Sequence, residues 1–281
     1  MNVIDAEALW RKSNIFDEYK FDKLIGKGTF SEIWKAKNAI TKKIVAVKIS
    51  KSGKYASEIL VKEFIAYKKF DSATIVNPEC FFYGKKGTFM VLPMYHNDLF
   101  SVIEEAERLD EYSLQKIARE IGAAIKLVHA QHFVHRDIKP ENIFVTEDNT
   151  CVLGDFGCVE HEDNMTLTTL VGTSSYIAPE IILATLRPAE GMFGAGKPSD
   201  IYSFGQTLFI AATKKYVIQN TDNLKKLARI VSELDMSSIV DRLDRSDEFK
   251  SLITGMTDPH PIGRMTIQEV LDHPFVKRSF V

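Results

Sequence analysis

Three side chains of different chemistry stand within six residues of one another: Asp137, Lys139 and Asn142, in the run Val134-His135-Arg136-Asp137-Ile138-Lys139-Pro140-Glu141-Asn142-Ile143-Phe144. A carboxylate can take a proton from a hydroxyl, an ammonium can neutralise an anion, and an amide oxygen can ligate a hard metal. Together they suit phosphoryl transfer, which asks a protein mainly for positioning and charge compensation.

Such a loop must be held rigid, and the sequence supplies the grip. Phe133 and Val134 before it, and Ile143 to Val145 after it, read as short buried strands. Upstream, Ser113 to Ala130 reads as a helix with Leu114, Ile117, Ile121, Ile125 and Val128 at core spacing, and Leu99 to Ala106 as another. Nearer the start, strands are expected at Phe21–Ile25, Glu32–Ala36, Ile44–Ile49, Glu79–Phe82 and Thr88–Pro93. A helix from about Tyr55 to Phe70 places Ile59, Glu63, Tyr67 and Phe70 on one face. The turn Gly26-Lys27-Gly28-Thr29-Phe30-Ser31 carries two glycines that let backbone N–H groups approach phosphates. Helices at Leu224–Leu234, Glu248–Met256 and Thr266–Leu271 complete an α+β chain: a small five-stranded antiparallel sheet with one helix, then a larger, mainly helical part.

A chain of 281 residues with 45% apolar content can bury a large core. Its net charge of -2 gives no broad basic footprint, so nucleic acid is not an expected partner. No stretch reaches the roughly 20 apolar residues of a membrane helix, and Met1 to Trp10 lacks the pattern of a secretory signal, so no membrane is expected either. The three cysteines, Cys80, Cys151 and Cys158, are widely spaced, show no zinc spacing and fit a reducing compartment. An intracellular monomer, cytoplasmic or nuclear, is the expectation.

His135-Arg136-Asp137 followed by Asn142 resembles the catalytic loop of eukaryotic protein kinases, and the family's other parts appear in its order from about Phe21 to about Phe275. Lys139 gives the loop its serine/threonine-kinase form. The resemblance implies the bilobal protein-kinase fold as a single domain of about 21–275: a lead-in at 1–20, a sheet lobe at 21–94 and a helical lobe at 95–281, with ATP in the cleft. It implies transfer of the ATP γ-phosphate to Ser/Thr hydroxyls of protein substrates. Asp137 would orient the hydroxyl and accept its proton, and Lys139 would steady the γ-phosphate. Asn142 and Asp155, of Asp155-Phe156-Gly157, would bind Mg2+. Lys48, ending Val45-Ala46-Val47-Lys48, would hold the α- and β-phosphates with Glu63 as its partner; Glu58 is expected to cap the helix or face solvent. Ile25, Gly26, Lys27, Gly28, Ile33 and Ala46 would line the nucleotide site. Leu92 matches the gatekeeper, and Pro93, Met94 and Tyr95 match the hinge that meets adenine. Asp98 stands near the ribose position and serves equally well as a helix N-cap.

Three residues depart from the family pattern. Ser31 stands where a third glycine would. Pro93 has no N–H, so a hinge donor must come from Met94 or Tyr95. Glu160 replaces a basic residue that activatable kinases often carry. The stretch Asp155 to Glu180 matches an activation loop ending in the peptide platform Gly172-Thr173-Ser174-Ser175-Tyr176-Ile177-Ala178-Pro179-Glu180, with Thr173 near Asp137. Arg136 would pair with a phosphate on Thr169 or Thr168, which an upstream kinase could add. Ile181 to Pro198 reads as an inserted surface loop able to meet a regulatory partner. Asp200 would anchor the catalytic-loop backbone, and Arg264 would pair with buried Glu180. The competing reading is a catalytically silent pseudokinase scaffold. It predicts damage at Lys48, Asp137, Asn142 or Asp155, and all four are intact.

Overall fold

Period-two alternation in the first strands sorts side chains to two faces. Val45, Val47, Cys80, Phe82, Phe89 and Val91 join Ile15, Tyr19 and Ala36 in one buried cluster. The residues between them, Ala46, Phe81 and Met90, are buried on the other face, where Phe81 stacks on Phe64 with ring centroids 4.6 Å apart. The strands at 44–50, 80–84 and 87–93 are therefore apolar almost without interruption because both faces are covered. The computed structural model that shows this describes residues 10, 11, 13–84, 87–165, 173–186, 196–219, 221 and 223–279.

The chain divides into two compact units, one of residues 1–96 with 154–157, the other of 97–153 with 158–281. In the first, strands β1 (Trp10–Arg11), β2 (Tyr19–Lys27), β3 (Ser31–Asn38), β4 (Ile44–Ser50), β5 (Cys80–Gly84) and β6 (Gly87–Pro93) form one sheet in the order β1-β5-β6-β4-β3-β2. Five pair antiparallel as expected. The sheet has a sixth strand, however, because β1 joins β5 in parallel register, Trp10 opposite Phe81. Two residues are too short to display a period. What seats them is the Trp10 indole, 5.9 Å from the Phe81 ring and 5.2 Å from Tyr83. The short helix α1 (Ile15–Glu18), capped by Asn14, buries Ile15 in the sheet core. The lead-in is thus part of the sheet unit, and its first nine residues lie outside the described ones. Helix α2 (Lys54–Tyr67) covers the other face with Leu60, Phe64 and Tyr67, whereas Ile59, expected to point inward, is half-buried.

In the second unit, α3 (Leu99–Glu105) precedes the long α4 (Glu111–Ala130), whose buried stripe includes Leu114, Ile117, Ile121, Ile125 and Val128. The strands β7 (Asn97–Asp98), β8 (Phe133–Val134), β9 (Ile143–Val145), β10 (Cys151–Leu153) and β11 (Glu160–His161) form two small ladders, β10-β9-β7 and β11-β8. These are the grip on the loop. Helices α5 (Pro179–Leu186), α6 (Lys197–Thr213), α7 (Leu224–Glu233), α8 (Met236–Asp241), α9 (Asp247–Met256), α10 (Ile267–Asp272) and α11 (Pro274–Lys277) complete the unit. Helix α6 is buried from Ser199 to Ala212, and Gly205 lets α9 approach it: a Cβ there would sit 2.8 Å from Thr257 and 2.9 Å from Met256. The expected loop at 181–198 is helical at both ends, in α5 and α6. Its glycine- and proline-bearing middle lies outside the described residues, as do Thr168, Thr169 and Gly172. Among the described residues, no helix is long and apolar enough to cross a membrane.

Candidate active site

The catalytic-loop geometry begins with a buried carboxylate. Asp200, near the start of α6 and 1% exposed, accepts hydrogen bonds from the backbone N–H of His135 and of Arg136, both at 2.8 Å, and lies 2.9 Å from His129 Nε2. Burial alone would raise its pKa, but the His129 hydrogen bond and charge, with the loop amides, hold it below the ordinary value. The anchor offsets strain: Arg136 has φ 68°, a left-handed conformation that costs a non-glycine residue about 1–3 kcal/mol. His135 is fully buried, and its Nδ1 accepts the Asp137 N–H at 3.3 Å.

On this base the functional side chains converge. Asp137 Oδ2 accepts from Lys139 Nζ at 2.8 Å and from Asn142 Nδ2 at 2.9 Å, and Nδ2 also donates to the Asp137 carbonyl at 2.8 Å. Thr173 Oγ1 accepts from Lys139 Nζ at 2.9 Å and donates to Asp137 Oδ1 at 3.5 Å, so one hydroxyl already sits between the acid and the ammonium. Asn142 turns its donors to Asp137.

The sheet unit gathers a second cluster. Lys48, on β4, donates to Glu63 Oε1 of α2 at 2.7 Å and to Asp155 Oδ1 at 2.9 Å. Glu63 is 2% exposed, whereas the Asp155 side chain is 43% exposed. Asp155 has φ 52°, and the neighbouring Phe156 ring is held against Tyr67 at 4.6 Å and Phe70 at 5.5 Å. Gly157 leaves room for the carboxylates: a Cβ there would lie 3.2 Å from Asp155 Oδ1 and 3.5 Å from Glu63 Oε2. Glu58 pairs instead with Lys54 at 3.8 Å on the exposed face, as expected.

Burial pushes the Glu63 carboxyl up to about 7, Lys48 pulls against the rise, and Asp155 adds to it. Burial opposes the charge on Lys48, but Asp155 and Glu63 together hold it above its ordinary value. The sign follows. Glu63 binds a proton more readily folded than unfolded, so its contribution to stability falls as pH rises from about 4.5 to about 7. Compared with Glu63→Gln, the unmutated chain is expected to lose denaturant stability across that window. Parallel pH profiles for the two would contradict a proton on Glu63.

The glycines of the first turn are not demanded by the fold. Neither Gly26 nor Gly28 has a positive φ, and a Cβ at Gly28 would meet only Ser31 atoms, the nearer at 3.6 Å. Their missing side chains leave the loop surface open to close approach by a ligand. Ile25 is 40% exposed, Lys27 is exposed, Ile33 is half-buried and Ala46 is buried. Leu92, Pro93, Met94 and Tyr95 are half-buried, and burial raises the Tyr95 pKa. Asp98 N-caps α3, accepting from the Ser101 N–H at 2.7 Å, so the capping alternative is the one with a bond behind it.

Similarity to known proteins decides the family. The Protein kinase domain family matches residues 19–276. The chain belongs to the protein kinase family. Its bilobal kinase fold has the expected sheet part and helical part. A similar curated protein is the Caenorhabditis elegans membrane-associated tyrosine- and threonine-specific cdc2-inhibitory kinase wee-1.3, 30% identical over 94% of this chain and 37% of that one. Others are the maize (Zea mays) probable serine/threonine-protein kinase CCRP1, 27% identical over 99% and 43%, and the rice (Oryza sativa subsp. japonica) CBL-interacting protein kinase 5, 26% identical over 96% and 58%. The chain spans less than half the length of the first two.

Within this kinase domain, Glu180 and Arg264 form a buried two-pronged pair at 2.7 and 2.9 Å, as expected. Sequence reasoning missed two contributors. Glu162 accepts from Lys197 Nζ at 2.9 Å and lies 3.2 Å from His132 Nδ1, tying the stretch after Asp155 to the start of α6. Lys51 donates into the glycine turn. No spacing marks either residue, because each partner is distant in sequence and each residue resembles an ordinary surface charge.

Proposed function

We propose that the chain is a serine/threonine protein kinase. The observation that supports this best is the Asp137–Lys139–Thr173 cluster, in which a hydroxyl of the threonine type lies within bonding distance of both the acid and the ammonium. A substrate hydroxyl taking that place would give its proton to Asp137 while Lys139 offsets charge on the γ-phosphate. Lys48, fixed by Glu63, would hold the α- and β-phosphates of ATP, and the open backbone of Gly26 to Gly28 would lie over them. Leu92 to Tyr95 would meet the adenine. The donor types suit a hard cation: Asn142 would contribute an amide oxygen and Asp155 a carboxylate, and among the described residues no three His, Cys, Asp or Glu side chains cluster as a metal cage. Mg2+ suits so small a protein contribution, since it keeps waters and substrate phosphates as its other ligands. When bound it would neutralise phosphate charge. Arg136, whose Nε donates to the Cys158 carbonyl at 2.6 Å, keeps its role as the receiver of a phosphate on Thr168 or Thr169 as part of this proposal.

Glu141 supports a substrate preference. Among the described residues its buried Oε2 has no hydrogen-bond partner, and burial raises its pKa; the backbone and Lys139 lower it, while Asp137 and Asp98 add to the rise. A basic residue upstream of the target would pair with it. Ser and Thr peptides carrying upstream arginine should react about tenfold faster in kcat/KM than their neutral counterparts, a gap that Glu141→Gln closes. Tyrosine peptides should be poor acceptors. Equal rates on serine, threonine and tyrosine peptides would remove the proposed acceptor class.

A further inference from the structure

The glycine turn between β2 and β3 is tied to the chain that follows β4. Lys51 Nζ donates to the Gly28 carbonyl at 2.6 Å and to the Thr29 carbonyl at 3.2 Å, and the Lys51 backbone N–H donates to the Phe30 carbonyl at 2.9 Å. The Gly28 N–H closes on the Ser31 carbonyl at 2.9 Å, and the Phe30 ring meets Tyr55, in the first turn of α2, edge to face at 5.5 Å. Three consecutive carbonyls of the turn therefore face one residue, Lys51. The described peptide bonds are all trans, so each carbonyl and the N–H of the same peptide unit point in opposite directions. Fixing the Gly28, Thr29 and Phe30 carbonyls on Lys51 aims the N–H groups of Thr29, Phe30 and Ser31 the other way. Consecutive N–H groups aimed together make an anion-binding surface.

We infer that Lys51 is a positioning residue for phosphate binding: without touching the ligand, its ammonium orients the Thr29, Phe30 and Ser31 amides toward the phosphates of the nucleotide. The inference rests on the nucleotide reading above. It also couples the turn to Lys48. Lys51 follows Lys48 by three residues and precedes Gly53, whose φ of 123° suits glycine at the entrance to α2, the helix that carries Glu63. The bland alternative is a surface lysine on convenient carbonyls, which would leave phosphate affinity alone. Lys51 does not belong to the Lys48–Glu63–Asp155 cluster, and nothing in the sequence pattern marks it.

The test compares Mg-ATP with adenosine, which has the same base and sugar and no phosphates. Titration calorimetry on the unmutated chain, Lys51→Ala and Lys51→Arg gives both affinities. A positioning role predicts that Lys51→Ala weakens Mg-ATP about tenfold and leaves adenosine within about twofold, while Lys51→Arg, which keeps the charge, retains Mg-ATP within about threefold. Equal loss of both ligands would make Lys51 a structural residue, and unchanged affinity for both would show an idle contact; each overturns the inference. An unmutated chain that binds adenosine but not Mg-ATP, or neither, overturns the nucleotide reading itself, an outcome separate from any behaviour of the Lys51 variants.

Discussion

Replacing Asp137 with Asn is expected to lower kcat by about a thousandfold and to move the KM for Mg-ATP by less than about threefold if the proposed kinase reading holds. The substitution keeps the shape of the side chain and removes its ability to take a proton. Asp137 is held on three sides, by Lys139, by Asn142 and by its own backbone carbonyl bonded to Asn142, so an isosteric amide has little room to move. Its oxygen can turn toward Lys139 and Asn142, and the nitrogen then meets Thr173 where an acceptor stood. The nucleotide contacts proposed for Lys48 and the glycine turn belong to other residues, which is why ATP affinity should survive. Steady-state kinetics with varied peptide and varied Mg-ATP, beside a direct binding titration, separates the two. A parallel fall in kcat and ATP affinity would mean that Asp137 supports the structure and not the proton transfer.

Arg264→Ala should produce the largest loss of stability, about 3–5 kcal/mol. The guanidinium is 0% exposed, forks onto both oxygens of Glu180, donates to the Pro198 and Asp258 carbonyls and lies 5.1 Å over the Tyr202 ring. Truncation leaves the Glu180 carboxylate, 2% exposed, without its counter-charge, and the Pro198 and Asp258 carbonyls, in half-buried residues, without this donor. Arg264→Lys should recover part of the loss, because an ammonium restores the charge without the fork. Thermal unfolding should fall by about 6–20 °C for the alanine variant. The exposed Arg229–Glu233 pair supplies the control: Arg229→Ala should change stability by less than about 0.5 kcal/mol. Similar effects at both arginines would show that the buried pair contributes no more than a surface one.

How far these residues could be found beforehand depended on how local their cause is. Asp137, Lys139 and Asn142 share one loop, and the strands gripping it announce themselves as short apolar runs. Helix α4 shows its core stripe in its spacing, and the sheet strands show as short runs bounded by turn residues. Glu63 was separable from Glu58 because its spacing from Tyr67 and Phe70 puts it on an inward face while Glu58 stands in the first helical turn; that Lys48 should have a carboxylate partner came from the family resemblance. The sixth strand was not legible: it is two residues long, and its pairing with β5 and the packing of Trp10 and Arg11 on the rings there are visible only in three dimensions. Asp98 stood open between a ribose contact and a cap until the Ser101 bond was seen. Lys51 and Glu162 were silent for a related reason. Their effect comes from carbonyls and cations brought to them by the fold, and neither residue type nor spacing encodes such a partner.

The most direct measurement is mass spectrometry of the purified chain, and of Asp137→Asn beside it, after incubation with Mg-ATP and a mixed panel of serine, threonine and tyrosine peptides. The kinase reading predicts phosphate on serine and threonine peptides, and on the chain's own Thr168 or Thr169, only with the unmutated protein. Measurable Mg-ATP binding with no phosphate transferred to any acceptor, even after treatment with an activating kinase, would contradict it and leave a nucleotide-binding scaffold.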